Sequence, residues 1–133
     1  MTKILDEGDH QGFMDEAYAE GLGGYEENGI PIGSVLVKDG KIVGRGRNLR
    51  VQEGSPIMHA EISCLQNAGR IGSFRGTTLY STLMPCYLCA GAVVQFGIKT
   101  VVAGESSNFD GARDFLREKG VEVIDLDRAD CKQ

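Results

Sequence analysis

The sequence contains no apolar run near the ~20 residues that a membrane-spanning helix needs. Its first ten residues, MTKILDEGDH, are acidic and lack the apolar core of a signal peptide. There is also no internal repeat, no proline-rich linker and no block of like charge. These absences predict a cytoplasmic protein that does not enter a membrane. They also predict one domain over residues 1–133, since single domains cluster near ~100–150 residues.

Basic residues are in deficit, with 14 Lys and Arg against 19 Asp and Glu and a net charge of −5. A nucleic-acid footprint normally needs a basic face, and so does docking on anionic membranes. The charge balance therefore disfavours a nucleic-acid partner. The content of 41% hydrophobic and 25% charged residues is ordinary for a globular protein. A chain of this length builds only one small core, so an oligomer is plausible.

Apolar spacing and turn residues predict alternating helices and strands. A helix is expected at 11–28, and strands at 32–37 and 41–46 flank Asp39-Gly40, a strong hairpin signal. Further helices are predicted at 59–69, 86–96 and 111–119, and further strands at 77–83, 99–103 and 121–126. The order α-ββ-α-β-α-β-α-β implies a mostly parallel sheet covered on both faces, with the hairpin as its one antiparallel pair.

Two cysteines, Cys86 and Cys89, form a C-x-x-C pair behind Pro85 at the start of a predicted helix. Because cytosolic thiols stay reduced, the pair indicates a metal or redox site rather than a disulfide. At positions i and i+3 the two sulfurs share one helix face, so one metal ion can bind both. Cys64 and Cys131 have no partner at ligand spacing, and we expect Cys64 to be a core residue and Cys131 to be incidental.

A second predicted helix begins with His59 followed by Glu61, as H-A-E. The intervening helix, turn and strand can bring both helix starts to the same edge of the sheet. His59 would then be a third zinc ligand beside Cys86 and Cys89, leaving an open position for water, as in catalytic zinc sites. Helix starts favour thiolates, and Zn²⁺ lowers the pKa of its bound water to about 7. Glu61 would carry the proton from that water to a leaving amine, and H-x-E…P-C-x-x-C is the signature of zinc deaminases of nucleobases.

Each of these residues also has a simpler interpretation. His59 could be a hydrogen-bonded core histidine, and the cysteines could form a thioredoxin-like redox pair or a structural zinc site. No exposed dithiol in a βαβ unit is apparent, and no fourth Cys or His stands at finger spacing. His10, near the terminus, is predicted to be a solvated side chain close to a disordered start.

The sequence resembles the cytidine-deaminase-like superfamily, and within it the fungal-type cytosine deaminases, from about Phe13 to Val123. Beyond the H-A-E and P-C-x-x-C motifs, the most discriminating similarities are the stretches N-L-R-x-Q-x-G-S and G-E-x-x-N-F. The segments that carry the resemblance are Gly24-Tyr25, Ile30–Gly33, Asn48–Ser55, His59–Ser63, Thr77–Tyr80, Met84–Ala92 and Gly104–Phe109.

The resemblance implies a three-layer α/β/α sandwich with a five-stranded mixed sheet, a homodimer and one zinc ion per subunit. Carried over by position, it implies zinc binding by His59, Cys86 and Cys89 and proton transfer by Glu61. The substrate would be a free pyrimidine base. Its edge would be bound by Asn48, its ring would lie between Phe109 and Ile32, and the backbone around Ala60 and Met84 would line the pocket.

The chain departs from the fungal pattern at two of these positions, since Ala60 replaces a glycine and Met84 a small polar residue. The family's C-terminal helix also supplies an acid that contacts the leaving amine, and no acid here matches it. Asp125, Asp127 and Asp130 are candidate substitutes. These departures leave cytosine and isocytosine both open as the substrate.

Three alternatives to a pyrimidine deaminase stay open. A tRNA adenosine deaminase has similar motifs, but it usually carries Glu where this chain has Met84, and it needs a basic surface. A guanine deaminase shares the metal motif. A zinc-bound structural or interaction domain without activity is the third, although such a domain has no need of Glu61.

Overall fold

A five-stranded mixed sheet forms the centre of the structure, a computed structural model that describes residues 5–107 and 110–132. Its strands are β1 Gly33–Lys38, β2 Lys41–Arg47, β3 Thr77–Ser81, β4 Thr100–Ala103 and β5 Glu122–Asp125. The helices are α1 Glu7–Glu26, α2 Ala60–Ala68, α3 Tyr87–Phe96 and α4 Arg113–Glu118, and a 3₁₀ turn, Asp130–Lys132, follows β5. Every predicted helix and strand is present, and the 3₁₀ turn is an addition.

The strand order is β2-β1-β3-β4-β5, and β1 is antiparallel to both of its neighbours. The sheet therefore has two antiparallel pairs, and the expectation of one was wrong. The reason is that α2 carries the chain across β1, so that β3 pairs with the far side of β1 rather than with β2. The pairs β3–β4 and β4–β5 are parallel, as predicted.

Alternating side chains of the strands build a hydrophobic core on each face of the sheet, as the two-residue period of a strand requires. On one face α1 packs on Val35, Val37, Tyr80 and Val102 through Met14 and Ala17. On the other face, Leu36, Leu79 and Val101 pack against residues of α2, α3 and α4, among them Cys64, Val93 and Leu116. The structure is thus the three-layer α/β/α sandwich that the resemblance implied.

The first helix begins earlier than predicted, and this overturns the prediction for His10. Asp6 caps α1 by accepting a hydrogen bond from the Asp9 backbone N–H at 2.8 Å, while the Asp9 side chain bonds back to the Asp6 N–H. His10 lies inside α1 and is buried, with its Nδ1 2.7 Å from the Tyr80 hydroxyl. It is a core histidine with a buried partner, not a solvated one.

The topology brings the carboxyl ends of β2, β3, β4 and β5 to one edge of the sheet, together with the amino end of β1. Ligand sites of open α/β sheets lie at this kind of edge. The chain leaves β2 and β3 there and enters α2 and α3, so both helix starts face the same edge. Among the helices of the described residues, none is long and apolar enough to cross a membrane.

Candidate metal centre and active site

Three potential metal ligands meet at the two helix starts: His59, Cys86 and Cys89, whose ligand atoms all lie within 4.8 Å of one another. The Cys86 Sγ is 3.6 Å from the His59 Nδ1 and 4.0 Å from the Cys89 Sγ. Tetrahedral zinc with bonds of about 2.3 Å to sulfur and about 2.0–2.1 Å to nitrogen needs separations of about 3.5 Å and about 3.8 Å for these pairs. The donor set and its spacing therefore fit a zinc ion, and the sequence motifs meet as predicted.

Local backbone structure places each of these side chains. His59 is the N-cap of α2, and its carbonyl accepts the Ser63 N–H at 2.8 Å. Cys86 is the N-cap of α3, and its carbonyl accepts the Ala90 N–H at 2.8 Å. Neither cap residue uses its side chain to bond the helix, so the imidazole and the thiol remain available to a metal.

Burial sets the protonation of the two ligands that it affects most. It lowers the pKa of His59, and the positive charge of Arg50 lowers it further, against a hydrogen bond to the Pro56 backbone. The neutral imidazole that results is the form that binds metals. Burial also raises the pKa of Cys89, and the negative charge of Glu61 raises it further. A bound cation would have to displace that thiol proton, so metal binding should release protons.

The charge of Arg50 acts on His59 although no metal-ligand motif contains Arg50. In the sequence, Arg50 is one residue of the N-L-R-x-Q-x-G-S stretch, and its spacing from His59 carries no signal of this interaction. A backbone hydrogen bond brings Arg50 close to His59: the Leu49 N–H donates to the Met58 carbonyl at 2.9 Å. This bond holds the segment after β2 beside the residue that precedes His59.

Glu61 lies in the first turn of α2 and is 5% exposed. Burial raises the pKa of Glu61 to about 6, against a hydrogen bond from its own backbone N–H. Glu61 and Cys89 also influence each other's pKa, which places the carboxylate beside the metal-ligand cluster. The structure thus puts one nearly enclosed carboxyl group next to the three donors.

Asn48 and Ile32 meet at the same edge of the sheet. The Asn48 N–H donates to the Ile32 carbonyl at 2.9 Å, and the Asn48 side chain is 3% exposed. Its Oδ1 accepts the Arg50 backbone N–H at 3.0 Å, so the loop already uses the carbonyl end of the amide. What Asn48 can offer a ligand most readily is therefore its NH₂ group.

The other three residues predicted to line the pocket, Ala60, Met84 and Phe109, differ in where they lie. Ala60 is the first residue of α2 and is fully buried. Met84 is 1% exposed and packs in the core with Ala112 and Leu116, so its side chain contributes to the core. Phe109, predicted to stack on the base, lies outside the described residues.

The three acids considered as substitutes for the family's C-terminal acid are each engaged elsewhere. Asp125 accepts hydrogen bonds from the Ser106 hydroxyl and from the Asp127 N–H. Asp127 pairs with Lys132 at 2.7 Å, and Asp130 pairs with Arg128. The Arg128 guanidinium lowers the pKa of Asp130. None of the three belongs to the group of potential metal ligands found among the described residues.

A mixed sheet with two helix starts that present His-Cys-Cys and an adjacent buried carboxyl defines the class of zinc-type nucleobase and nucleotide deaminases. Residues 7–105 match the family model described as the cytidine and deoxycytidylate deaminase zinc-binding region, and the chain belongs to this family. It is 46% identical to the cytosine deaminase of Candida albicans over 110 residues, covering 80% of this chain and 73% of the relative. It is also 41% identical to a tRNA-specific adenosine deaminase of Streptococcus pyogenes over 107 residues, covering 78% of this chain and 67% of the relative.

Solved structures with the same fold come from several deaminases. A structure from a study of tRNA A34 deaminases superposes with a TM-score of 0.77 at 26% identity, covering 88% of this chain and 98% of that chain. A guanine deaminase from Nitrosomonas europaea gives a TM-score of 0.78 at 20% identity, covering 99% of this chain and 85% of that chain. At such identity the second likeness speaks for the fold alone.

Proposed function

We propose that this protein is a zinc-dependent hydrolase that deaminates a free pyrimidine base, cytosine or isocytosine, to uracil and ammonia. The observation that carries the proposal is the His59–Cys86–Cys89 cluster together with the buried Glu61, which interacts with Cys89. The 46% identity to a fungal cytosine deaminase supports a pyrimidine base as the substrate. The three clustered residues would hold one zinc ion per subunit.

The chemistry divides between the metal and the chain. When bound, zinc would act as a Lewis acid that makes water nucleophilic at neutral pH, and three protein ligands would leave a position for that water. Glu61 would take a proton from the attacking water and deliver it to the amine that leaves as ammonia. Its burial excludes bulk water from that transfer, and general acid–base catalysis of this kind contributes about 10²–10⁴-fold to a rate.

Recognition of the base would use the residues at the amino end of β1 and the carboxyl end of β2. Ile32 would cover one ring face and Phe109 the other. The Asn48 NH₂ would donate to an acceptor on the base edge, such as a ring carbonyl oxygen, because the loop occupies its own carbonyl. The buried Ala60 and the backbone at Met84 would line the remaining wall.

Net charge supports a free base over a nucleic acid. The chain carries −5, whereas an RNA partner would be attracted by positive charge. We also propose that the protein is a cytoplasmic homodimer. The dimer is supported by a groove whose lining includes four apolar residues: Ile62 and Leu65 of α2, Phe96 of α3, and Phe74 between α2 and β3. Sedimentation at micromolar concentration tests the dimer, and a monomer there would exclude it.

Ammonia release from the purified, zinc-loaded protein tests the function. The panel is cytosine, isocytosine, guanine and adenine, with cytidine as a nucleoside control and an anticodon-stem hairpin RNA for the tRNA alternative. We expect turnover of cytosine or isocytosine and none of cytidine. Turnover of guanine or of the RNA alone would replace the proposal with that activity. Silence on the whole panel from a protein with full zinc content would favour an inactive zinc-bound domain.

Replacing Asn48 by aspartate tests the orientation assigned to its amide. Aspartate keeps the oxygen that accepts the Arg50 N–H but has no NH₂ group. The acceptor on the base would be left unsatisfied, which costs about 1–3 kcal/mol and should lower kcat/KM by roughly 5- to 150-fold. The matched control is Asn67→Asp. Asn67 lies near the carboxyl end of α2, away from the helix start that carries His59, and its amide donates to the Arg45 carbonyl of β2. Equal kcat/KM in both variants would remove Asn48 from base recognition.

A further inference from the structure

Two short stretches after β4, residues 105–107 and 110–112, hold the two residues that precede Cys86. The Met84 N–H donates to the Glu105 carbonyl at 3.1 Å, and the Ala112 N–H donates to the Pro85 carbonyl at 3.0 Å. Cys86 therefore enters α3 directly from backbone that these two stretches fix. Among the described residues, neither stretch contributes a ligand to the metal cluster, so we expect any effect on the cluster to pass through Met84 and Pro85.

Gly111 is the point of closest approach between the second stretch and the residues that precede Cys86. Its φ is +58°, in the left-handed region, and a Cβ at this position would lie 2.4 Å from the Pro85 carbonyl oxygen and 3.0 Å from the Met84 Cγ. Because the nearest atom is backbone, a side chain here would have to displace Pro85 itself. The absence of a side chain is what lets the Pro85 carbonyl reach the Ala112 N–H.

A partly buried chain of hydrogen bonds holds the same two stretches from the other side. Arg113, the first residue of α4, donates through Nη2 to the Ser106 hydroxyl, and that hydroxyl donates to Asp125 at the end of β5. Ser106 is 7% exposed. The Ser106 hydroxyl thus ties β5 to the start of α4, directly after Ala112, which contacts Pro85. Removing this hydroxyl would free the start of α4 on one side.

We propose that Gly111 and Ser106 are positioning residues of the metal centre, which act through Pro85 to set where Cys86 stands relative to His59. The proposal rests on the proposed zinc ligands but not on the identity of the substrate. Residues that orient metal ligands typically change metal affinity by about 10–100-fold when they are mutated. We therefore expect substitutions at Gly111 and Ser106 to lower metal affinity by more than the accompanying loss of fold stability can account for.

Co²⁺ binding to the full chain tests the proposal, measured by competition with a chromophoric chelator and by the thiolate-to-cobalt absorption band. Gly111→Ala should weaken Co²⁺ binding by at least about 10-fold and alter the band. The matched control is Gly120→Ala, which also places alanine at a positive φ, +83°, but has no atom within 4 Å of its Cβ. We expect Gly120→Ala to lose thermal stability without losing Co²⁺ affinity.

Ser106→Ala is a second test variant, which inserts no atom and is therefore less prone to misfold. Its control is Ser73→Ala, at an exposed serine whose hydroxyl accepts the Arg75 N–H. We expect Ser106→Ala to weaken Co²⁺ binding in the same direction and Ser73→Ala to leave it unchanged. Equal Co²⁺ affinity in the two glycine variants at matched Tm, or an unchanged affinity and band in Ser106→Ala, would overturn the proposal. Failure of the base panel would leave these results unaffected, because no substrate takes part.

Discussion

Replacing Glu61 by glutamine is expected to lower ammonia release by at least about 10³-fold while zinc content stays at that of the unmutated protein. Glutamine keeps the size and hydrogen-bonding shape of the side chain but can neither accept nor deliver the proton. Glu61 is not needed among the three clustered ligands, so the metal should remain. Turnover of the base identified in the panel and zinc content by elemental analysis are the two measurements.

The control for this prediction is Glu122→Gln. Glu122 is an exposed carboxylate at the amino end of β5, on the edge of the sheet opposite the site. Its loss should leave both turnover and zinc content unchanged. A Glu61→Gln protein that released ammonia at the full rate would remove the proton shuttle from the mechanism, and loss of its zinc would make Glu61 a ligand instead.

Replacing Gly33 by alanine is expected to lower the free energy of unfolding by at least about 3 kcal/mol, at the upper end of what overpacking a core usually costs. Gly33 begins β1 beneath α1, and a Cβ there would lie 2.0 Å from the Ala17 carbonyl oxygen and 2.5 Å from the Gly21 nitrogen. Both atoms belong to the backbone of α1, so the helix would have to move away from the sheet. Urea unfolding with an unchanged m-value would measure the loss.

Gly12→Ala is the matched substitution for this second prediction. Gly12 lies exposed in the interior of α1, and nothing stands within 4 Å of its Cβ. Alanine should therefore raise stability by about 0.5–1 kcal/mol, because glycine loses more conformational freedom in a helix. If Gly33→Ala were as stable as the unmutated protein, the close approach of α1 to β1 would be refuted.

Local patterns sufficed to predict most of the elements. Asp39-Gly40 predicts the hairpin, and both residues adopt the positive φ values, +53° and +77°, that this turn needs. The two-residue alternation in the strands and the proline before α3 are likewise local. The start of α1 was missed because its capping box, Asp6 with Asp9, uses two acids that also resemble a solvated terminus.

Local motifs are enough to predict which chemical groups this protein can bring to a metal, because H-A-E and P-C-Y-L-C place an imidazole, a carboxyl and two thiols at helix starts. How far His59 lies from the cysteines, and how deeply the groups are buried, depends on the fold. The 4.0 Å between the two sulfurs is local to the start of α3, but the 3.6 Å between Cys86 and His59 depends on how α2 crosses β1 and joins residues 27 positions apart. Packing of distant segments also buries His10 against Tyr80 and turns Met84 toward the core. Such contacts arise from packing between segments distant in the chain, for which a single sequence carries no local signal.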